Sequence, residues 1–162
     1  MYKTVGIIGG MGPEATLYLF QRIIKLTKAS CDQEHIPIII DNNTKITDRT
    51  DFLLGKGISP SAEIVKSANR LKAMGAEIIA MACNTAHCFC SEIVNMDISF
   101  INMIQITADY ILNKYGREVK VGLLATKGVY ISGIYNEACK EYSIEIVEPE
   151  EGNIQVLMDI YL

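Results

Sequence analysis

Cys83 heads the string Cys83-Asn84-Thr85-Ala86-His87, a thiol followed at once by two short polar side chains. The apolar run before it reads as a strand and the string itself as the start of a helix. A thiol at such a junction lies in the positive field of a helix N-terminus, which lowers its pKa and supplies thiolate near neutral pH. Backbone N–H groups there, together with Asn84 and Thr85, form a nest suited to a carboxylate. The competing reading is a buried structural cysteine, the commonest fate of the residue, and the polar neighbours weigh against it. Gly9-Gly10-Met11-Gly12 is the second signal. With Gly6 its spacing does not contain G-x-G-x-x-G, so dinucleotide binding is disfavoured; the glycines either permit a tight turn or let a ligand approach the backbone. Arg49 carries a planar fork that can clamp a carboxylate, or is simply solvated. Cys83, His87, Cys88 and Cys90 invite a zinc test. Cys88 and Cys90, two apart on one helix, point to different faces, whereas zinc needs four converging ligands, so no metal is expected. His87, four residues after Cys83, either tunes the thiol or packs and donates a hydrogen bond.

The elements that position these residues are legible as alternating strands and helices. Lys3 to Ile8 is a strand that ends in the glycine turn, and Pro13 suits the first position of the helix that follows. That helix is expected to bury Leu17, Phe20 and Ile24, with Ile23 alongside, and to run to Lys28. Pro37 to Ile40 is a strand, and residues 41–57 form a polar loop long enough to suspect function. Ser59 is expected to cap a helix with Pro60 behind it, with Ile64, Ala68 and Leu71 on its buried stripe and Gly75 closing it. Ala76 to Ala82 is a strand that ends at Cys83. Ile98 to Ile101 is another, and Ile104, Ala108, Ile111, Leu112 and Tyr115 mark a helix closed by Gly116. This order implies a parallel sheet flanked by helices, with ligands gathering beyond the carboxyl ends of the strands.

Composition bounds the partners. The 162 residues are 49% hydrophobic and 21% charged, too apolar for a disordered chain. A net charge of −4 leaves no long basic face, so nucleic acid is not an expected partner. No apolar run approaches the ~20 residues of a membrane span. Met1-Tyr2-Lys3 runs straight into a strand without a signal-peptide pattern. Five cysteines at uneven spacing argue for reduced thiols. A cytoplasmic protein is expected.

After Gly116 the programme restarts: a strand at Val119 to Ala125, a helix from Gly128 to Tyr142, a strand from Ser143 to Val147 and a helix from Asn153. Val5-Gly6-Ile7-Ile8 corresponds to Val121-Gly122-Leu123-Leu124, and Gly12 to Gly128, at a constant offset of 116. Strand-then-glycine segments recur in α/β proteins without common descent; the alternative is duplication into two similar α/β lobes. On the second reading residues 1–115 are the first lobe and 116–162 a partial second one. That second lobe has two recognisable strands and a last helix carrying Ile154, Leu157, Met158 and Tyr161. It is expected to be incomplete, because a two-stranded sheet is marginal.

Gly6-Ile7-Ile8-Gly9-Gly10-Met11-Gly12-Pro13, Asp48-Arg49-Thr50, Ala82-Cys83-Asn84-Thr85-Ala86-His87 and Gly122-Leu123-Leu124-Ala125-Thr126-Lys127-Gly128, in that order, resemble the aspartate/glutamate racemase family over essentially the whole chain. Hydantoin racemases, glutamate racemases and maleate isomerases share related architecture. The resemblance implies a cofactor-independent racemase of two α/β lobes, with a cysteine from each lobe facing the α-carbon of a bound amino acid, aspartate or glutamate. Inversion needs a base on one face and an acid on the other, so two groups of matched pKa must straddle the carbon. The resemblance assigns Cys83 as the first-lobe thiol, and Asn84, Thr85 and Thr126 as donors to the α-carboxylate. It assigns Arg49 to a substrate carboxylate and Met11 to the turn lining the pocket; a homodimer is a further possibility.

Departures from the pattern matter as much. The offset of 116 carries Cys83 to position 199 and Arg49 to position 165, both past Leu162. The family's second cysteine and a second-lobe lysine belong about there. Cys139 lies inside a helix and does not replace the cysteine. Val129 stands where the family usually has threonine. These 162 residues alone are therefore expected not to racemise. The rival readings are a non-catalytic remnant or dicarboxylate-binding module, and a related cysteine-dependent isomerase of the hydantoin racemase or maleate isomerase kind.

Overall fold

Val5–Gly9 (β1), Ile38–Asn42 (β2), Ile78–Met81 (β3) and Ser99–Ile101 (β4) are short runs rich in isoleucine, whose β-branched side chains suit a pleated, covered surface. They pair in the order β2-β1-β3-β4, every pair parallel. Parallel neighbours need crossovers, and the chain supplies them as α1 (Pro13–Leu26), α3 (Ser61–Ala73) and α4 (Ser91–Val94). The computed structural model describes residues 2–161, without the side chain of Tyr161. By packing, Met1–Thr47 and Ile58–Asn102 make one unit, and Asp48–Gly57 and Met103–Leu162 a second.

In the first unit Ile7 and Ile8 of β1, Ile64 and Leu71 of α3, Ile79 of β3 and Ile93 of α4 are fully buried. The stripe expected on α3 is the one observed, but its N-cap is Pro60 and not Ser59, and no side chain caps it. On α1 it is not: Leu17 is 55% and Ile24 41% exposed, and Thr16 is the one buried residue of the helix. The row that faces inward is Thr16, Phe20, Ile23 and Thr27, displaced by one position from the row through Leu17 and Ile24. The displacement follows from Thr16, whose short side chain lets the helix approach the glycine turn and turns the larger apolar side chains outward. The helix also ends at Leu26, with Thr27 as its C-cap.

The second unit is built on a parallel pair, β5 (Lys120–Gly122) and β6 (Glu145–Val147). It is covered by α5 (Met103–Tyr115) and by α6 (Lys127–Ser132) and α7 (Ile134–Lys140), which continue into α8 (Glu151–Tyr161) beyond β6. Its core is Ala108, Ile111, Cys139 and Ile144, with Leu112, Val119, Val121 and Ile146 against them. The single helix expected from Gly128 to Tyr142 is two, because Gly133 adopts the left-handed conformation at φ 59° and ends the first. The polar stretch 41–57 also holds a helix, α2 (Arg49–Leu53), which packs on α6 within this unit. Leu162 and the side chain of Tyr161, expected on the last helix, lie outside the described residues. No helix among the described residues is long and apolar enough to cross a membrane.

Gly6 shows how closely β1 is packed. A Cβ there would lie 2.9 Å from the Ala76 Cβ, 3.0 Å from the Ile79 Cδ1 and 3.1 Å from the Leu71 Cβ, all parts of the core that cannot retreat cheaply. Gly6→Ala will cost about 1–3 kcal/mol by overpacking, read as a lower urea midpoint at unchanged slope. Gly122→Ala, where a Cβ meets open space, will stay within about 0.5 kcal/mol of the parent.

Candidate functional site

In the strand order β2-β1-β3-β4 the connections from β1 leave to one side and those after β3 to the other, so the switch point lies between β1 and β3, where open α/β sheets form a crevice. Ile8 stands opposite Met81, and the Ala82 N–H donates to the Ile8 carbonyl at 3.3 Å. Both strands therefore end together. The chain after β1 is the Gly9–Gly12 turn with Met11, and the chain after β3 is Cys83.

Cys83 is half-buried and free of any disulfide. The segment after it is a five-residue 3₁₀ helix, Thr85–Phe89, followed only by the four-residue α4. The long helix expected to project its dipole onto the thiol is therefore absent; so short a segment aligns few peptide units. What holds Cys83 is His87. Its Nδ1–H donates to the Cys83 carbonyl at 2.7 Å, and its ring packs on Phe100 with centroids 5.6 Å apart. A carbonyl accepts only, so this bond fixes the proton on Nδ1. Burial pushes the His87 pKa below its ordinary 6.5, against backbone hydrogen bonds that raise it. The imidazole thus acts as a neutral strut for the strand end. Thr85 is buried and Asn84 exposed. Burial pushes the neighbouring Cys90 thiol up, which keeps it protonated and poorly nucleophilic.

The glycine turn is pressed from two sides. Gly10 has φ 88°, and a Cβ on it would collide with the backbone of Asn43. Asn43 is itself fixed: its Nδ2 donates to Ser67 Oγ at 3.3 Å, and Arg70 donates both to that hydroxyl at 3.0 Å and to Asp41 Oδ2 at 2.7 Å. On the other side the buried Thr16 side chain fills the space that a Cβ on Gly9 would occupy. Met11, in between, is 7% exposed.

Two of the expected residues stand in the second unit. Arg49 is the first residue of α2, behind an Asp48 cap whose carboxylate accepts from the Asp51 N–H at 2.8 Å. Thr126 is the N-cap of α6, on which α2 packs. The structure thus brings Met11 and the Cys83 to Thr85 string to one sheet edge in the first unit, and the Arg49 and Thr126 elements together in the second. Cys139 is fully buried in the core of the second unit and its thiol is pushed up by burial. Among the described residues no group of three or more His, Cys, Asp or Glu side chains is placed to hold a metal ion. Sequence reasoning missed Thr16, Asn43, Ser67 and Arg70, whose roles depend on partners 4 to 29 residues away.

The Asp/Glu/hydantoin racemase family model matches residues 8–160. A broad specificity amino-acid racemase of Bacillus subtilis is 26% identical over 154 residues, covering 90% of this chain and 64% of that protein. Among solved structures, an aspartate racemase of Picrophilus torridus superposes with a TM-score of 0.84 at 35% identity, over 95% of this chain and 65% of its own. An aspartate racemase homologue of Pyrococcus horikoshii superposes at 0.78 with 26% identity, over 99% and 70%. The chain therefore spans about two thirds of the length of these relatives.

His87 gives the site a pH signature. Its folded pKa lies below the unfolded 6.5, so the unfolded chain takes up the proton first. Its contribution is complete above about pH 7 and is lost as pH falls through 6.5 towards the folded value. Urea midpoints measured from pH 7.5 to 5 will fall over that window, and His87→Gln will flatten that part of the profile.

Proposed function

Because the chain belongs to the Asp/Glu/hydantoin racemase family, we propose that it carries the first catalytic half of a cofactor-independent amino-acid racemase, with aspartate or glutamate as the substrate. In this reading the Cys83 thiolate removes the α-proton. The electron pair left on carbon delocalises into the α-carboxylate, and Cys83 becomes a neutral thiol. Asn84, Thr85 and Thr126 donate to that carboxylate and Arg49 to the side-chain carboxylate, where fixed donors act on the charge as it develops. Met11 forms an apolar wall. Delivery of a proton to the opposite face needs a second acid, which by the repeat belongs to the second lobe. By the sequence repeat residues 1–115 form the first lobe, although residues 48–57 and α5 pack within the second unit, and the protein works in the cytoplasm on a small molecule.

The observation that supports this most is the common end of β1 and β3, which sets Cys83 beside the Met11 turn at the switch point of the sheet. The short 3₁₀ segment after Cys83, which sets no long helix dipole on the thiol, favours a second reading, a dicarboxylate-binding module without turnover. A single thiol separates the two. One base can exchange a proton on one face without changing handedness, so the chain will take deuterium from D₂O into the α-position of one aspartate or glutamate enantiomer, which keeps its configuration. Cys83→Ser will lower that uptake by about 100-fold or more, the usual scale for loss of an acid–base group. Equal uptake in both proteins discards the catalytic assignment, and ligand-stabilised folding without any uptake selects the binding module. Parallel assays with hydantoins and maleate distinguish the related isomerases.

A further inference from the structure

Each unit fastens its first strand-to-helix turn with one hydroxyl from the helix that follows. In the first unit the Gly10 N–H donates to Thr16 Oγ1 at 3.1 Å, and the same hydroxyl donates to the Gly12 carbonyl at 3.2 Å. The two bonds bracket Met11. In the second unit the Ala125 N–H donates to the Tyr130 hydroxyl at 2.8 Å, and that hydroxyl donates to the Leu123 carbonyl at 3.0 Å. Ala125 immediately precedes Thr126. The Gly12 carbonyl also accepts the Thr16 N–H at 3.3 Å, so the hydroxyl adds a second bond there and holds the Gly10 N–H, as the Tyr130 hydroxyl holds the Ala125 N–H.

We propose that Thr16 and Tyr130 are positioning residues, hydroxyl clamps that set the backbone of the turns carrying Met11 and Thr126. Different residue types at the same step, the fourth after the N-cap, do the same work. Thr16 stands four residues after Gly12 and reaches back over one helical turn; Tyr130 stands four after Thr126 and reaches past it to the strand end with its longer side chain. At offset 116 Thr16 corresponds to Ser132, whose hydroxyl instead donates to the Val129 carbonyl at 2.8 Å within its own helix. A hydroxyl that both accepts and donates fixes a turn more tightly than a methyl group of the same shape. It also takes the Gly10 and Ala125 N–H groups out of the set that can face a ligand. The remaining turn atoms are then presented in one geometry, at no ordering cost when a ligand arrives. The effect on ligand affinity rests on the racemase reading; the clamp itself does not.

Thr16→Val and Tyr130→Phe remove the hydroxyl and keep the shape, and Thr16→Ser restores it. Amide hydrogen exchange on the ligand-free chain reads the clamps directly. The Gly10 amide will exchange about 10-fold faster in Thr16→Val, and the Ala125 amide about 10-fold faster in Tyr130→Phe, on the scale of one lost hydrogen bond. The Ile79 amide in β3 will stay unchanged and Thr16→Ser will return Gly10 to the parent rate. Aspartate affinity by calorimetry will fall about 10-fold in each hydroxyl-free variant and recover in Thr16→Ser. Parent exchange rates at Gly10 and Ala125 in the hydroxyl-free variants overturn the proposal. Faster exchange with no aspartate binding even by the parent chain leaves the clamps standing and overturns the racemase reading instead.

Discussion

With Ile8 opposite Met81 and the Ala82 N–H on the Ile8 carbonyl, β1 and β3 leave the sheet at the same level. Everything placed at the candidate site follows from that register. A slip of one residue in either strand would turn that strand's side chains to the opposite face of the sheet. The register is held by fully buried Ile7, Ile8 and Ile79 and by Gly6, which leaves room for the α3 end and the Ala76 turn to close over β1. Packing of ordinary aliphatic residues thus decides where a thiol and a glycine turn stand relative to each other.

Polar groups then take over where the strands stop. His87 steadies the Cys83 carbonyl from a buried, neutral ring, and Thr16 and Asn43 hold the glycine turn from opposite sides. Asn43 depends in turn on Ser67 and Arg70 of α3, the helix that also buries Ile64 and Leu71. The same helix supports both the core and the wall of the site. This division, aliphatic register below and hydrogen-bonded turns above, leaves the carboxyl edge of the sheet ordered without a long helix pointing at it.

Much of this was legible in the sequence. Alternation of isoleucine-rich runs with 3.6-residue stripes gives the strands, α3 and α5, and the glycine turn and the cysteine string both fall at strand ends as expected. The family resemblance rests on those strings and agrees with the family match. The errors have physical causes. On α1 the most apolar row runs through Leu17 and Ile24 and reads as the inner one, whereas a threonine of small volume faces the turn. Asn84 to His87 carries a helix-start pattern, yet only a 3₁₀ turn forms before Cys90. A helix of five residues at Arg49 is too short to leave a periodicity, and Gly133 breaks a helix whose apolar pattern runs through it. Hydroxyl bonds from Thr16 and Tyr130 to backbone atoms leave no compositional trace at all.

If the Cys83 sulfur faces a carboxylate-binding crevice, a bound carboxylate shields it. Iodoacetamide modification, followed cysteine by cysteine with and without aspartate, measures that directly. Cys83 will be alkylated in the free chain and protected by aspartate, while buried Cys139 will stay unmodified in the folded protein under both conditions. A Cys83 that reacts at the same rate with and without aspartate or glutamate, or one as inert as Cys139, rules that placement out.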